Sequence, residues 1–299
     1  MVSDCGGPVG FVGLGAMGEP MALNLLKGGT PLVVWNRSPE KSGRLAQAGA
    51  MVANGPEEVL SLCETTIMML VDGPAIDAAL RRGAKNFAPI VRGRLIVNMA
   101  TTEPTYSRDL QRDIVAAGGR YVEAPVSGSR RPAELGQLVA MLAGGAQDLE
   151  IVRRLLVPMC RSTIVCGAVP SALQMKLAVN LFLTAVVTGL AESVHFASSH
   201  KLDLSTLVEV LDASPLASDV SRVKVGKMVS QDFSVQASIT NVLSNVSLIV
   251  DAARNKGIAS PVLDTCHQLF RETSELGLGQ DDMAAVIRAI ERRTTAIQQ

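Results

Sequence analysis

Short apolar runs alternate with amphipathic stretches through the first half of the chain. "VGFVGL" from Val9 to Leu14 reads as a buried strand, and "GEPMALNLLKGG" carries apolar residues at helical spacing up to the Gly28-Gly29 pair. The rhythm then repeats: "PLVVWN" (strand), "SPEKSGRLAQAGA" (helix), "GAMVA" (strand), "PEEVLSLC" (helix), "TTIMMLV" (strand), "GPAIDAALRR" (helix), "RLIVNMA" (strand), "EPTYSRDLQRDIVAAGG" (helix) and "RYVEAPV" (strand). Strands alternating with helices predict right-handed βαβ crossovers and a doubly wound parallel sheet covered on both faces. "QLVAMLAGG" and "STIVCG" add two further strands at its edge.

After Val165 the apolar segments lengthen, follow a 3.6-residue period and contain no convincing strand. The expected organisation is α/β: a Rossmann-type domain over 1–165 and an all-α domain over 166–299. The second domain opens with "LQMKLAVNLFLT", in a helix expected from near Pro170 to about Ser198. Only 15 residues separate Lys176 from Glu192, and Asn180, Thr184 and Thr188 interrupt them. A bilayer span needs about 20 apolar residues, so the expectation is a helix buried on all sides in a soluble protein or oligomer.

Composition narrows the function. The 299 residues are 47% hydrophobic but only 3% aromatic, which calls for a core of Ala, Val, Leu, Ile and Met. Lys plus Arg balances Asp plus Glu at 28 each, leaving no electrostatic footprint for nucleic acid or an anionic membrane. A small-molecule substrate is the expected partner. The odd set Cys5, Cys63, Cys160, Cys166 and Cys266 has no CxxC spacing and reads as reduced thiols. His195, His200 and His267 form no ligand cluster, so no metal is expected. "MVSDCGGPVG" shows no basic and then apolar leader, and a cytoplasmic location is expected.

"GLGAMG", comprising Gly13, Leu14, Gly15, Ala16, Met17 and Gly18, is a GxGxxG motif directly after a predicted strand and before a predicted helix. In that context the first glycine permits the tight turn and the second lets a pyrophosphate approach the backbone. The third lets helix and strand pack closely, with the helix N-terminus facing the phosphates. At the end of the second strand, where an NAD site usually carries an acid, the chain reads Asn36-Arg37-Ser38. An acid would repel a 2′-phosphate, whereas Arg37 pairs with it and Asn36 and Ser38 add hydrogen bonds, so NADP (NADPH) is the expected cofactor.

"GFVGLGAMGEPMALNLL", "EAPVSGSRRPAELGQLVAMLAGG", "KLAVN" and "LGLGQDDMAAVIRAIE" occur in an order that resembles the β-hydroxyacid dehydrogenase family. That family includes 3-hydroxyisobutyrate dehydrogenases, tartronate semialdehyde reductases and glyoxylate/succinic semialdehyde reductases, and "SGSRRPAE" looks most like the last group. The resemblance implies a Rossmann domain, a long interdomain helix, an all-α domain, and homodimers or homotetramers joined through that domain. It gives Lys176 the role of catalytic acid/base and Asn180 that of holding substrate or lysine. It also implies that Ser127, Gly128 and Ser129 bind the substrate carboxylate and that Thr101 borders the nicotinamide. The i, i+4 spacing of Lys176 and Asn180 independently puts both on one helix face.

A lysine in apolar surroundings has its charged form disfavoured, which suits proton transfer near neutral pH. A snorkelling side chain or a buried ion pair with Glu192 or Glu123 is the competing reading of Lys176. Where relatives carry a Lys-Asp pair this chain has Ser244 and Asn245, assigned by position to cofactor and substrate; Ala100, Pro170, Ala172 and Ala237 also depart from the pattern. Three functions remain open. One is NADPH-dependent reduction of a small carboxylated aldehyde. Another is the same chemistry on another β-hydroxyacid or an imine. The last is a non-catalytic cofactor-binding module.

Overall fold

The computed structural model describes residues 7–298. Its first compact unit ends at Lys176 and its second begins at Leu177, so the division falls inside the long helix Ser171–Ser199 rather than at the change of rhythm near Val165.

The first unit is built on nine strands: β1 (Val9–Val12), β2 (Leu32–Trp35), β3 (Met51–Val52), β4 (Thr65–Met68), β5 (Leu95–Asn98), β6 (Arg120–Glu123), β7 (Val126–Ser127), β8 (Leu138–Gly144) and β9 (Cys160–Gly167). Six of them are parallel in the order β3-β2-β1-β4-β5-β6. Successive residues serve opposite faces: Phe11, Ile67, Val97 and Val122 enter one core, while Val12, Met68, Ile96 and Tyr121 enter the other. That is why these strands read as unbroken apolar runs rather than as alternation.

The rest of the sheet differs from the expectation of a wholly parallel array. β8 runs antiparallel to β6 and β7, and β9 returns parallel to β8. The reason is the connection: only residues 128–137, with the short helix Arg130–Glu134, separate β7 from β8, too few for a crossover. "RYVEAPV" is one strand interrupted. The pairs Val122↔Gly144, Glu123↔Ala143, Val126↔Ala140 and Ser127↔Val139 keep one register across Pro125, which has no N–H to give the ladder. The helices Phe87–Val91 and Ala146–Leu156 had not been expected; β9 is largely exposed, so the sheet is not covered there.

The second unit is helical, with Leu204–Ala213, Asp219–Ser230, Ile239–Asn255, Pro261–Thr273 and Ile287–Ile297 joining the long helix. Val187, Ala191 and Val194 of the long helix pack with Met228, Phe270 and Met283. A buried ion pair pins the last loop: Lys224 Nζ lies 2.7 Å from Asp282 Oδ1, and Asp282 also accepts the N–H groups of Gln236, Ala237 and Ala284.

By length and composition the long helix could cross a membrane, with a mean hydropathy of 1.7, and it supplies core residues to the folded unit. Within one chain Phe182 is 71% and Phe196 61% exposed, so burial on all sides would require further copies of the chain. Cys63, Cys160, Cys166 and Cys266 are free thiols, whereas Cys5 lies outside the described residues.

Candidate active site

The parallel strands bring their carboxyl ends to one edge. Gly13 to Gly18 follow β1, Asn36 to Ser38 follow β2 and Thr101 follows β5, on either side of the point where strand order reverses, between β1 and β4. That edge is where an open α/β sheet leaves a crevice for a ligand.

Each glycine of the turn answers a different demand. Gly13 has φ +101°, and a Cβ there would stand 2.3 Å from the Met69 carbonyl oxygen. A Cβ at Gly18 would meet the Gly13 oxygen at 1.9 Å, so the helix Gly18–Lys27 could not start so close to β1. At Gly15 nothing lies within 4 Å, which leaves the backbone open to a ligand. The N–H groups of Gly15, Ala16 and Met17 have no protein acceptor among the described residues, whereas Leu14 N–H is taken by Asn36 Oδ1 at 2.8 Å. Open space and free donors at a helix N-terminus fit a dinucleotide pyrophosphate.

The trio after β2 divides its labour. Asn36 was expected to reach the cofactor phosphate, but its amide is already engaged. Its carbonyl oxygen holds the glycine turn, and its NH2 donates to Ser38 O at 3.0 Å. Asn36 therefore shapes the turn, while Arg37 is exposed and makes no ion pair among the described residues. Ser38 precedes the 3-10 turn Pro39–Ser42 and offers a hydroxyl beside Arg37.

Ser127 is paired through β7 with Val139 of β8, which fixes the loop that follows. Gly128 has φ +128°, and a Cβ there would stand 2.7 Å from Leu138 Cδ2, so only glycine fits the turn. Ser129 precedes the helix Arg130–Glu134, and its hydroxyl makes no cap to that helix. Arg130 pairs with Glu134 at 2.9 Å. Thr101 is half-buried in the loop between β5 and the helix Pro104–Ala116.

Lys176 is 8% exposed and forms no ion pair with Glu192 or Glu123, which sets aside the ion-pair reading. Burial alone pulls its pKa down from 10.5 to about 8. Asn180, one turn on, is also buried, and its NH2 donates to Asn245 Oδ1 at 3.2 Å. Asn245 Nδ2 in turn donates to Asn241 O at 2.8 Å. Asn245, assigned to substrate by position, thus orients Asn180. Ser244 is exposed and donates its hydroxyl to Thr240 O, within its own helix.

Sequence reasoning missed one feature. Glu123 at the end of β6 is fully buried and hydrogen-bonded to Ser107 and to the first turn of the long helix. The available signal was an acid between the apolar residues Val122 and Ala124 at the end of its strand.

Known proteins are similar to this chain over most of its length. Residues 8–167 match the NAD binding domain of 6-phosphogluconate dehydrogenase, and residues 171–290 match the NAD-binding family of NADP-dependent 3-hydroxyisobutyrate dehydrogenase. Glyoxylate/succinic semialdehyde reductase 1 of Arabidopsis thaliana is 31% identical over 95% of this chain and 98% of its own length. The mitochondrial 3-hydroxyisobutyrate dehydrogenase of Rattus norvegicus is 27% identical over 96% of this chain and 88% of its own. Among solved structures, the 3-hydroxyisobutyrate dehydrogenase of Mycobacterium tuberculosis superposes with a TM-score of 0.85 at 22% identity, covering 97% of this chain and 99% of that one. With its GxGxxG turn, mixed sheet and helical second unit, the chain belongs to the 3-hydroxyisobutyrate dehydrogenase-like β-hydroxyacid dehydrogenase family, NAD(P)-dependent oxidoreductases acting on CH–OH.

Proposed function

We propose that the protein reduces a small carboxylated aldehyde, of the glyoxylate or succinic semialdehyde type, to the hydroxy acid with NADPH. The observation that carries this reading is Lys176: a buried amine with no ion pair among the described residues, whose pKa is pulled down to about 8, on the helix where the family keeps its acid/base. The nicotinamide, when bound, supplies the hydride to the carbonyl carbon. Lys176 delivers the proton that the nascent alkoxide oxygen requires, and an amine titrating near 8 moves it in either direction. The Ser127 hydroxyl and the Gly128 N–H hold the carboxylate, which fixes the carbonyl in one orientation. Asn180 shares the face of Lys176 and steadies substrate or amine.

NADPH over NADH is supported by Arg37, which is exposed and unpaired among the described residues, and by the absence of an acid at positions 36–38. The aldehyde-acid substrate is supported by the reductase from Arabidopsis thaliana and by "SGSRRPAE". A second reading draws on Asn245: it holds Asn180 with a neutral amide where relatives carry an acid, which suits a bulkier β-hydroxyacid or a C=N bond. The exposed Phe182 and Phe196 support association of two or four copies through the helical unit.

The experiment follows NADPH and NADH oxidation with glyoxylate, succinic semialdehyde, 2-methyl-3-oxopropanoate and a cyclic imine. Wild type and Lys176→Ala are compared. The expected result is turnover of an aldehyde acid with NADPH, lost in Lys176→Ala. Preference for the imine would move the assignment to the second reading. Tight cofactor binding without any turnover would favour a binding module.

A further inference from the structure

The first N–H groups of an α-helix find no acceptor within it. In Ser171–Ser199 the N–H of Ser171 goes to Ala168 O at 2.8 Å and that of Gln174 to Pro170 O at 3.1 Å. The N–H of Leu173 goes to Glu123 Oε2 at 3.2 Å, and that of Ala172 lies close enough to help hold the same carboxylate. A side chain from the sheet therefore does what an N-cap residue does, and it sets a negative charge at the positive end of the helix.

The same carboxylate ends a chain of donors. Asn98, the last residue of β5, accepts Ala100 N–H at 3.1 Å and donates its NH2 to Tyr121 Oη at 3.0 Å. Ser107 donates its hydroxyl to Glu123 Oε1 at 2.5 Å, so the 2.7 Å contact between Tyr121 and Ser107 is donated by Tyr121. Every proton points toward Glu123, which must be an acceptor at both oxygens. A protonated acid would either strand the Tyr121 hydrogen or set an O–H against the helix N–H groups. Burial pushes the Glu123 pKa above its ordinary value, and the hydrogen bonds from Ser107, Leu173 and Ala172 offset part of that rise; the run of donors favours the ionised form.

We propose that Glu123 is the positioning residue of Lys176. Its carboxylate fixes the first turn of the lysine's helix and, through Ser107, Tyr121 and Asn98, ties that turn to the loop carrying Thr101. Lys176 follows Leu173 by less than one helical turn, so a shift of the anchored N–H groups moves the amine. This assignment rests on the reading of Lys176 as proton donor.

The test is Glu123→Gln, which keeps the shape but turns one acceptor into a donor facing either Ser107 or the helix. The expected result is a kcat for aldehyde-acid reduction lowered by about 10²-fold, the scale of a 1 Å misplacement, with the NADPH Kd unchanged. Competitive acetylation of Lys176, followed by peptide mass spectrometry across pH, is the second readout. Its midpoint is expected to rise from about 8 toward 10.5, because burial is the only cause of the lowered value and no carboxylate contributes. Loss of a negative charge alone would leave the midpoint unchanged or lower it, so an upward shift is specific to displacement. Ser107→Ala and Tyr121→Phe leave the charge in place, are expected to shift both readouts the same way by less, and carry the test if Glu123→Gln does not fold. An unchanged kcat, or a midpoint that stays or falls, overturns the inference. Failure of the proton-donor reading shows separately, as activity surviving Lys176→Ala, because acetylation does not depend on turnover.

Discussion

At the scale of single residues, Lys176 is a group whose surroundings set its chemistry. A free lysine is almost wholly charged at neutral pH, whereas burial brings this one to about 8. The proton donor in carbonyl reduction is the charged form, so reduction is expected to be constant below pH 8 and to fall as pH rises through it. Oxidation of the hydroxy acid needs the neutral amine and is expected to rise over the same window. Rate profiles of kcat/KM in both directions check the sign. The glycine turn offers a second contrast. Gly18→Ala places a Cβ 1.9 Å from the Gly13 oxygen and is expected to cost stability, by about 1–3 kcal/mol or more as overpacking does, visible as a lowered Tm. Gly15→Ala meets no protein atom and is expected to leave Tm unchanged while weakening cofactor binding, read by NADPH fluorescence titration.

At the scale of elements, the arrangement depends on a few polar anchors in otherwise apolar contacts. Asp282 neutralises Lys224 and gathers three backbone N–H groups, those of Gln236 and Ala237 ahead of the helix Ile239–Asn255 and that of Ala284 within the turn Met283–Val286. Removing one partner of a buried pair strands the other charge, so Asp282→Ala is expected to destabilise by about 3–5 kcal/mol in urea unfolding. Lys224→Met with Asp282→Leu together should cost less than Asp282→Ala alone, because no charge is then left unpaired. Apolar periodicity made most helices and the six parallel strands legible in the sequence. The reversal at β8 was not legible, since an apolar run of seven residues carries no sign of its direction. Direction follows from the short 128–137 connection, whose length becomes decisive only once both flanking strands are known to pair.

At the scale of the whole molecule, two compact units share the helix Ser171–Ser199. Phe182 and Phe196 are exposed in the single chain, and association through the helical unit would cover them. Sedimentation velocity is expected to give a dimer or tetramer for the wild type, and Phe182→Asp is expected to shift it toward monomer. A monomeric wild type would remove that support.

The sequence by itself determined the alternation that builds a Rossmann-type sheet, the glycine turn, the missing acid after β2, and the spacing of Lys176 and Asn180. These are local, because neighbours along the chain set strand, turn and helix face. Only the tertiary structure decided what distant residues do to one another. It committed Asn36 to the turn and Asn245 to Asn180, left Lys176 without a carboxylate partner among the described residues, and joined Glu123 to a helix fifty residues on. Hydrogen-bond partners and burial depend on which elements meet, and no periodicity along the chain records that meeting.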